Sequence, residues 1–102
     1  MIIYLIHIDV KKNLDKDWLL WMKNEHVPEI MDLKIFEKNE IWKIKNDSKK
    51  YNSYYIKYYT ESLDCYKLYE KKYAIEMKKK HSIKYKNNFN LKREILQLIH
   101  EC

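Results

Sequence analysis

Glycine is absent from the 102 residues of the chain, and proline and alanine each occur once, as Pro28 and Ala74. Phosphate-binding loops and dinucleotide-binding turns both need glycine where the backbone approaches phosphate, so these nucleotide sites are excluded. Collagen-like repeats and glycine-rich linkers are excluded as well. We therefore expect no cofactor. Half of the residues are lysine, isoleucine, tyrosine or asparagine, whose codons are AT-rich, and this indicates an AT-rich genome.

Arginine is nearly absent too, since Arg93 stands alone beside 20 lysines. The net charge of +6 is typical of proteins that bind nucleic acid or an anionic membrane. Lysine enrichment by codon drift would place the same charge on a solvated surface, and we favour this interpretation of the charge.

The length fits a single domain, residues 1–102. With 46% hydrophobic residues the chain can build a core, which argues against disorder. A lone domain of this size buries only about two-thirds of the surface of its unfolded chain. A homodimer would bury more, and we expect one.

Cysteine is scarce, and Cys65 and Cys102 lie far apart without zinc-finger spacing. This pattern predicts that both cysteines are reduced thiols and that the protein is located in the cytoplasm. No run of 18 apolar residues predicts a membrane span. The apolar start lacks the basic segment of a signal peptide, and Asp9 soon interrupts it. We expect a soluble cytoplasmic protein with no membrane partner.

Two short pairs of metal-ligand residue types occur, His7 with Asp9 and His100 with Cys102. A metal site needs three or four converging ligands. No spacing in the sequence supplies them, so no metal is expected.

Hydrophobic periodicity predicts the order β-α-β-β-α-β. In the first strand, alternation predicts a face that packs on the helices, formed by Ile2, Tyr4, Ile6, Ile8 and Val10. The predicted strands are residues 2–10, 36–45, 51–60 and 89–99. Right-handed crossovers then give an α+β, ferredoxin-like fold, with two helices on one face of a four-stranded antiparallel sheet. The other face must be solvated, stacked against a ligand, or paired with another sheet.

The first helix is predicted to kink or stop near His26, because Pro28 disfavours helical geometry at Val27. Pro28 can then open a short turn that ends at Leu33. At a helix C-terminus the dipole favours the protonated imidazole. His26 is therefore a candidate acid or base or an anion ligand if it points toward a cleft, or else a capping residue that bonds the free carbonyls before the proline.

The second helix is predicted to begin after Ser62 and to run unbroken, with an apolar stripe that His81 continues. We expect His81 at the end of the core-facing stripe, satisfied by a hydrogen bond. Arg93 is expected either to clamp a carboxylate ligand or to form an ion pair with Glu94, Glu37 or a partner subunit.

Four segments occur in the same order as in a small bacterial family. They are Met1–Tyr4, Trp18–Glu29 (WLLWMKNEHVPE), Tyr58–Tyr66, and the pair Tyr73–Ala74 followed by His81. The sequence resembles the family called domain of unknown function 4286, found mostly in Bacteroidetes. The resemblance implies a ferredoxin-like fold of the dimeric α/β-barrel type, in which two sheets pack face to face and enclose a barrel interior.

The resemblance also implies candidate site residues, since His26, His81 and Arg93 each match a position of the family motif. His26 is then the candidate catalytic residue, and Arg93 and His81 are candidate ligand-binding residues. The candidate pocket walls are Trp21, Glu25, Trp42 and Tyr58.

Two functions fit this resemblance, and it leaves open whether the protein is an enzyme. One is a dimer that binds a small anionic or aromatic molecule in the barrel interior, with His26 or Arg93 reaching into it. The other is a non-enzymatic interaction or structural module whose uncovered sheet face is only a dimer interface.

A third function is RNA binding, because RNA-recognition domains share this strand order and stack bases on sheet aromatics. The third strand carries Tyr54, Tyr55, Tyr58 and Tyr59. The glycine and the first stacking aromatic of that pattern are missing, which makes RNA the weakest of the three alternatives.

Overall fold

The computed structural model describes residues 1–102, and its elements follow in the predicted order, with each helical part in two pieces. The strands are β1 (Ile2–Lys11), β2 (Lys38–Lys43), β3 (Tyr51–Thr60) and β4 (Phe89–Gln97). The helices are α1 (Asp15–Trp21), α2 (Val27–Met31), α3 (Leu63–Lys72) and α4 (Ala74–Lys84). No helix has the length and apolarity that a bilayer crossing requires.

The four strands form one antiparallel sheet in the order β2-β3-β1-β4. β1 and β3 lie in the centre, and β3 separates β1 from β2, as in a split βαβ unit. The predicted ferredoxin-like fold class is confirmed. Within one chain the sheet is open and does not close into a barrel.

The two faces of the sheet differ as the alternation in β1 predicted. Ile2, Tyr4, Ile8 and Val10 are at most 4% exposed and belong to the core against the helices. No helix covers the opposite side, which we call the open face. The open face consists of Ile3, Leu5, His7, Asp9 and Lys11 of β1, Lys38, Glu40 and Trp42 of β2, Tyr51, Ser53, Tyr55, Lys57 and Tyr59 of β3, and Asn90, Lys92, Glu94 and Leu96 of β4.

A π-helical turn, Met22–His26, joins α1 to α2. The N–H of Val27 bonds the carbonyl of Met22, five residues earlier. Pro28 has no N–H to donate, and the helix continues past it through α2 to Met31. The predicted stop near His26 is therefore a change of helix type, and His26 does not sit at a free helix end.

The second helical part begins as predicted, because the Ser62 hydroxyl accepts the N–H of Cys65 at 3.3 Å. It is not one unbroken helix. Tyr73 separates α3 from α4, with φ of −128° and ψ of −26°. After α4, Asn87 takes a left-handed conformation at φ of 66°, as expected where glycine is absent.

Two strands are shorter than predicted. β2 begins at Lys38, because Phe36 leaves the sheet to join the core at 5% exposure. β4 ends at Gln97, and Ile99 beyond it is exposed. Cys65 and Cys102 form no disulfide.

Candidate functional site

The sheet divides the predicted site residues into two groups. Trp42 lies on the open face, opposite Tyr55 in the register. The helix side holds Trp21, Glu25, His26, Tyr58, His81 and Arg93. This corrects the expectation that His26 or Arg93 reaches into a barrel interior, because the interior would be formed by the other face.

An internal space of about 30 Å³, here called the inner cavity, lies between the helices and the sheet. Its volume equals the share of one water molecule in the liquid. It is lined by Tyr4, Ile6, Ile8, Met22, His26, Ile30, Ile56, Tyr58, Tyr69, Met77, Lys78, His81, Leu91 and Arg93. The structure thus brings together the three motif residues His26, His81 and Arg93, which are far apart in sequence.

His81 is held by Trp18, whose indole Nε1 donates to His81 Nε2 at 2.9 Å. Because Nε2 accepts this bond, the neutral ring must carry its proton on Nδ1. His81 Nδ1 is buried and has no hydrogen-bond partner. Burial, with smaller contributions from the nearby His26 and Arg93, lowers the pKa of His81 to about 4. The expected hydrogen bond thus forms at only one of the two nitrogens.

His26 is 7% exposed, and its ring stacks on Trp21 with the centroids 4.6 Å apart and the planes 14° from parallel. Burial lowers the pKa of His26 to about 4; Glu29 opposes this effect and Lys80 adds to it. The expectation that a helix dipole protonates His26 is therefore wrong. The helix does not end there, and loss of hydration dominates.

The π turn makes this stack geometrically accessible. In a regular α-helix, residues five apart point about 140° away from each other around the axis. The wider turn from Met22 to His26 brings residues 21 and 26 towards the same side. Local backbone geometry thus places the imidazole against the indole.

Arg93 donates from Nε to the hydroxyl of Tyr4 at 3.0 Å and forms no ion pair. The predicted pairs with Glu94 and Glu37 are therefore absent. Glu94 projects from the opposite face of β4, because neighbouring strand residues alternate between faces.

Tyr58 is 1% exposed, and its hydroxyl has no partner. Its ring stacks on that of Tyr4 at 6.0 Å. Burial raises the pKa of Tyr58 far above its usual range, so the phenol keeps its proton. Tyr58 is thus a core residue whose hydroxyl group is free to donate a hydrogen bond.

An outer cleft of about 400 Å³ lies on the protein surface next to the inner cavity. Its walls are Trp21, Glu25, His26, Glu29, Lys80, Ile83 and Lys84. Glu29 and Lys80 form an ion pair across it. His26 alone lines both spaces, so it lies between the inner cavity and the outer cleft.

The open face carries a separate depression of about 310 Å³. Its walls are Leu5, His7, Tyr55, Lys57, Lys92, Glu94 and Leu96. Beside it, Glu40 accepts from the Tyr59 hydroxyl at 2.6 Å and from Trp42 Nε1 at 3.1 Å. These hydrogen bonds, together with one from Lys38, lower the pKa of Glu40 to about 2.

The tyrosines of β3 are shared between the two sides. Tyr54 and Tyr58 are at most 3% exposed among the core residues, while Tyr55 and Tyr59 belong to the open face. Two of the four aromatic rings that suggested an RNA platform are therefore packed against helices.

Sequence reasoning missed several contributors to these sites. Trp18 belongs to the same family run as His26, but nothing in the sequence shows that its N–H reaches His81. Tyr4 was placed on the helix face, but its bond to Arg93 depends on strand register. Nothing in the sequence separated the cations of the open-face depression, Lys57 and Lys92, from the other lysines.

Solved structures share this architecture at low sequence identity. A dimeric ferredoxin-like protein from an uncultured marine organism matches with a TM-score of 0.70 at 9% identity, covering 99% of this chain and 97% of its own. A protein of the ethyl tert-butyl ether D (EthD) family from Bacillus halodurans matches with a TM-score of 0.65 at 14% identity, covering 97% and 100%.

A second dimeric ferredoxin-like protein from an uncultured marine organism matches with a TM-score of 0.61 at 14% identity, covering 100% of this chain and 98% of its own. At these identities the likeness establishes the fold alone. No curated protein matches the chain in sequence. The family described as Domain of unknown function (DUF4286) matches residues 1–99. The chain therefore belongs to the family of domain of unknown function 4286.

Proposed function

We propose that the protein is a homodimer that binds a small anionic molecule, best an aromatic acid, between two open faces. The observation that carries this proposal is the 310 Å³ depression on the open face, which combines cations with apolar walls. Residues 1–102 are proposed to form one domain located in the cytoplasm, which the two unpaired cysteines support.

A second copy of the chain is the occupant that the open face fits best. The face carries four lysines and three carboxylates, so it is almost neutral although the chain as a whole has a charge of +6. Two copies can therefore approach through it with little net repulsion. Trp42, Tyr55 and Leu96 are 54%, 37% and 40% exposed there, and a dimer would remove this apolar surface from water.

The structural relatives support the same arrangement. Two of the matched proteins are described as dimeric ferredoxin-like proteins. In a dimer that pairs the open faces, the depressions of the two protomers would face each other and lose contact with bulk water. Electrostatic interactions strengthen in such an environment.

The walls of the depression define the ligand class. His7, Lys57 and Lys92 contribute imidazole and ammonium groups against the single carboxylate of Glu94. Tyr55 and the aliphatic walls offer a surface for a flat ring. An aromatic carboxylate would use both features.

Sedimentation velocity tests the dimer. The wild type should sediment as a dimer, and Tyr55→Lys should give a monomer, because it places an additional charge at the centre of the interface. Ile75→Lys introduces the same residue at an exposed position on α4 and should leave the dimer intact. A monomeric wild type, or a dimer that survives Tyr55→Lys, would refute the proposed interface.

Calorimetric titration with benzoate tests the ligand class, with benzyl alcohol as the neutral probe of similar shape. Benzoate should bind and benzyl alcohol should not, and Lys92→Gln should weaken benzoate binding roughly tenfold or more. Lys67→Gln, outside the depression, is the matched control.

Equal binding of both probes, or of neither, would contradict an anionic ligand at this face. Strongly salt-dependent binding of an oligouridylate by the dimer would instead favour the RNA alternative.

A further inference from the structure

The inner cavity concentrates polar groups that the fold leaves without partners. The Tyr58 hydroxyl and His81 Nδ1 are the two buried side-chain polar atoms of the chain that lack a hydrogen bond. Both residues line this one cavity. Buried polar groups are paired in most proteins, because an unpaired one loses its hydration without compensation. Two such groups at one small cavity indicate that a ligand completes their bonding.

The unpaired groups are hydrogen-bond donors. Because His81 Nε2 accepts from Trp18, the free Nδ1 carries the proton and can only donate. Tyr58 offers its phenolic proton. The Tyr4 hydroxyl accepts from Arg93, which leaves its own proton free to donate as well.

The charge of the cavity wall has one sign. Arg93 and Lys78 are cationic, and the lining contains no aspartate or glutamate. Arg93 forms no ion pair. Glu70 on α3 affects the pKa of Tyr4 through space, yet it does not pair with Arg93. Arg93 therefore lines the cavity without a neutralising carboxylate.

We propose that the inner cavity is an anion-binding site that takes a monovalent anion of about bromide size, held by the Arg93 guanidinium and the Tyr58 hydroxyl. This site lies on the opposite side of the sheet from the open-face depression and does not depend on the proposed dimer. Free donors and positive charge without a carboxylate favour an anion over a cation. The volume of about 30 Å³ admits one small ion.

His26 lies between the inner cavity and the outer cleft in this arrangement. It borders both the inner cavity and the outer cleft, so an anion that enters from the cleft passes its ring. Removing the ring should therefore speed exchange between cavity and solvent while leaving the anion-binding groups in place.

Diffraction from crystals grown in sodium bromide tests the site directly, because bromide scatters anomalously. The expected result is an anomalous peak between the Tyr58 hydroxyl and Arg93. A cavity that contains only water at high bromide concentration, with no anomalous signal, would overturn the proposal.

Unfolding in solution gives a second test. Replacing sodium fluoride by sodium bromide at constant ionic strength should stabilise the wild type and saturate as the site fills. Tyr58→Phe and Arg93→Gln should each weaken this response roughly tenfold or more in bromide concentration. Tyr73→Phe, which lines neither cavity nor cleft, should respond as the wild type does. An identical response in Tyr58→Phe, Arg93→Gln and the wild type would refute the site.

Discussion

The two faces of the sheet carry similar types of residue, but their polar groups differ in hydrogen bonding. On the open face the polar groups bond to each other, as Glu40 does with Tyr59 and Trp42, and water is available to the rest. On the helix side Tyr58 and His81 are out of reach of water and keep unpaired atoms. The inner cavity is a candidate site because buried polar atoms there lack hydrogen bonds. The open face is a candidate site because of the shape and charge of its depression.

The largest expected effect is a difference in the free energy of unfolding between tryptophan substitutions on the two faces. Trp18→Ala should cost about 3–5 kcal/mol in the free energy of unfolding, because it empties a fully buried site and leaves His81 Nε2 without its donor. Trp42→Ala on the open face should cost about 1 kcal/mol or less.

Urea unfolding measures both substitutions, and a Tyr55→Lys background removes any contribution of the dimer. Equal losses from Trp18→Ala and Trp42→Ala would break the comparison between the faces.

The next largest effect is a loss of stability in acid, caused by the two histidines on the helix side. The pKa values of His26 and His81 fall from 6.5 to about 4 on folding. The unfolded chain therefore binds protons first as the pH drops below 6.5, and stability declines until the pH reaches about 4. The loss is up to about 3 kcal/mol for each histidine.

His26→Phe should remove about half of this decline, measured as the unfolding free energy against pH. On the open face, the pKa of Glu40 is lowered to about 2, so its contribution disappears only at lower pH, between 4.5 and 2. A profile that stays flat from pH 6.5 to 4 would show that the histidines are not held neutral by burial.

The smallest effect concerns two neighbouring tyrosines on opposite faces. Tyr58→Phe deletes a buried hydroxyl without a partner and should leave stability unchanged or raise it by about 1 kcal/mol in fluoride buffer. Tyr59→Phe removes the hydrogen bond to Glu40 and should lower stability by about 1 kcal/mol or less. Tyr59→Phe should therefore unfold at a lower temperature than Tyr58→Phe, and a larger loss from Tyr58→Phe would mean that its hydroxyl has a protein partner.

The sequence predicted the fold well because the signals were periodic. Alternation in β1 assigned Tyr4 to the helix face, and the serine at position 62 marked the start of a helix. These features depend on neighbours in the chain, so local chemistry decides them.

The placement of the site could not be predicted in the same way. Whether Arg93 or Glu94 faces the helices is decided by the register of β4 against β1, and a shift of one residue would exchange them. The neutral state of His26 depends on a π turn and on burial by distant segments. Neither factor leaves a mark in the spacing of residues.

The stacking of Trp21 on His26, together with the bond from Trp18 to His81, has an optical consequence. A protonated imidazole quenches indole emission, whereas a neutral one does so only weakly. The fluorescence of these two indoles should therefore dim as the helix-side histidines take up protons, while Trp42 reports separately on the open face. Intrinsic tryptophan fluorescence can therefore report on each side of the sheet. Variants that keep a single tryptophan would measure the fluorescence of each side independently.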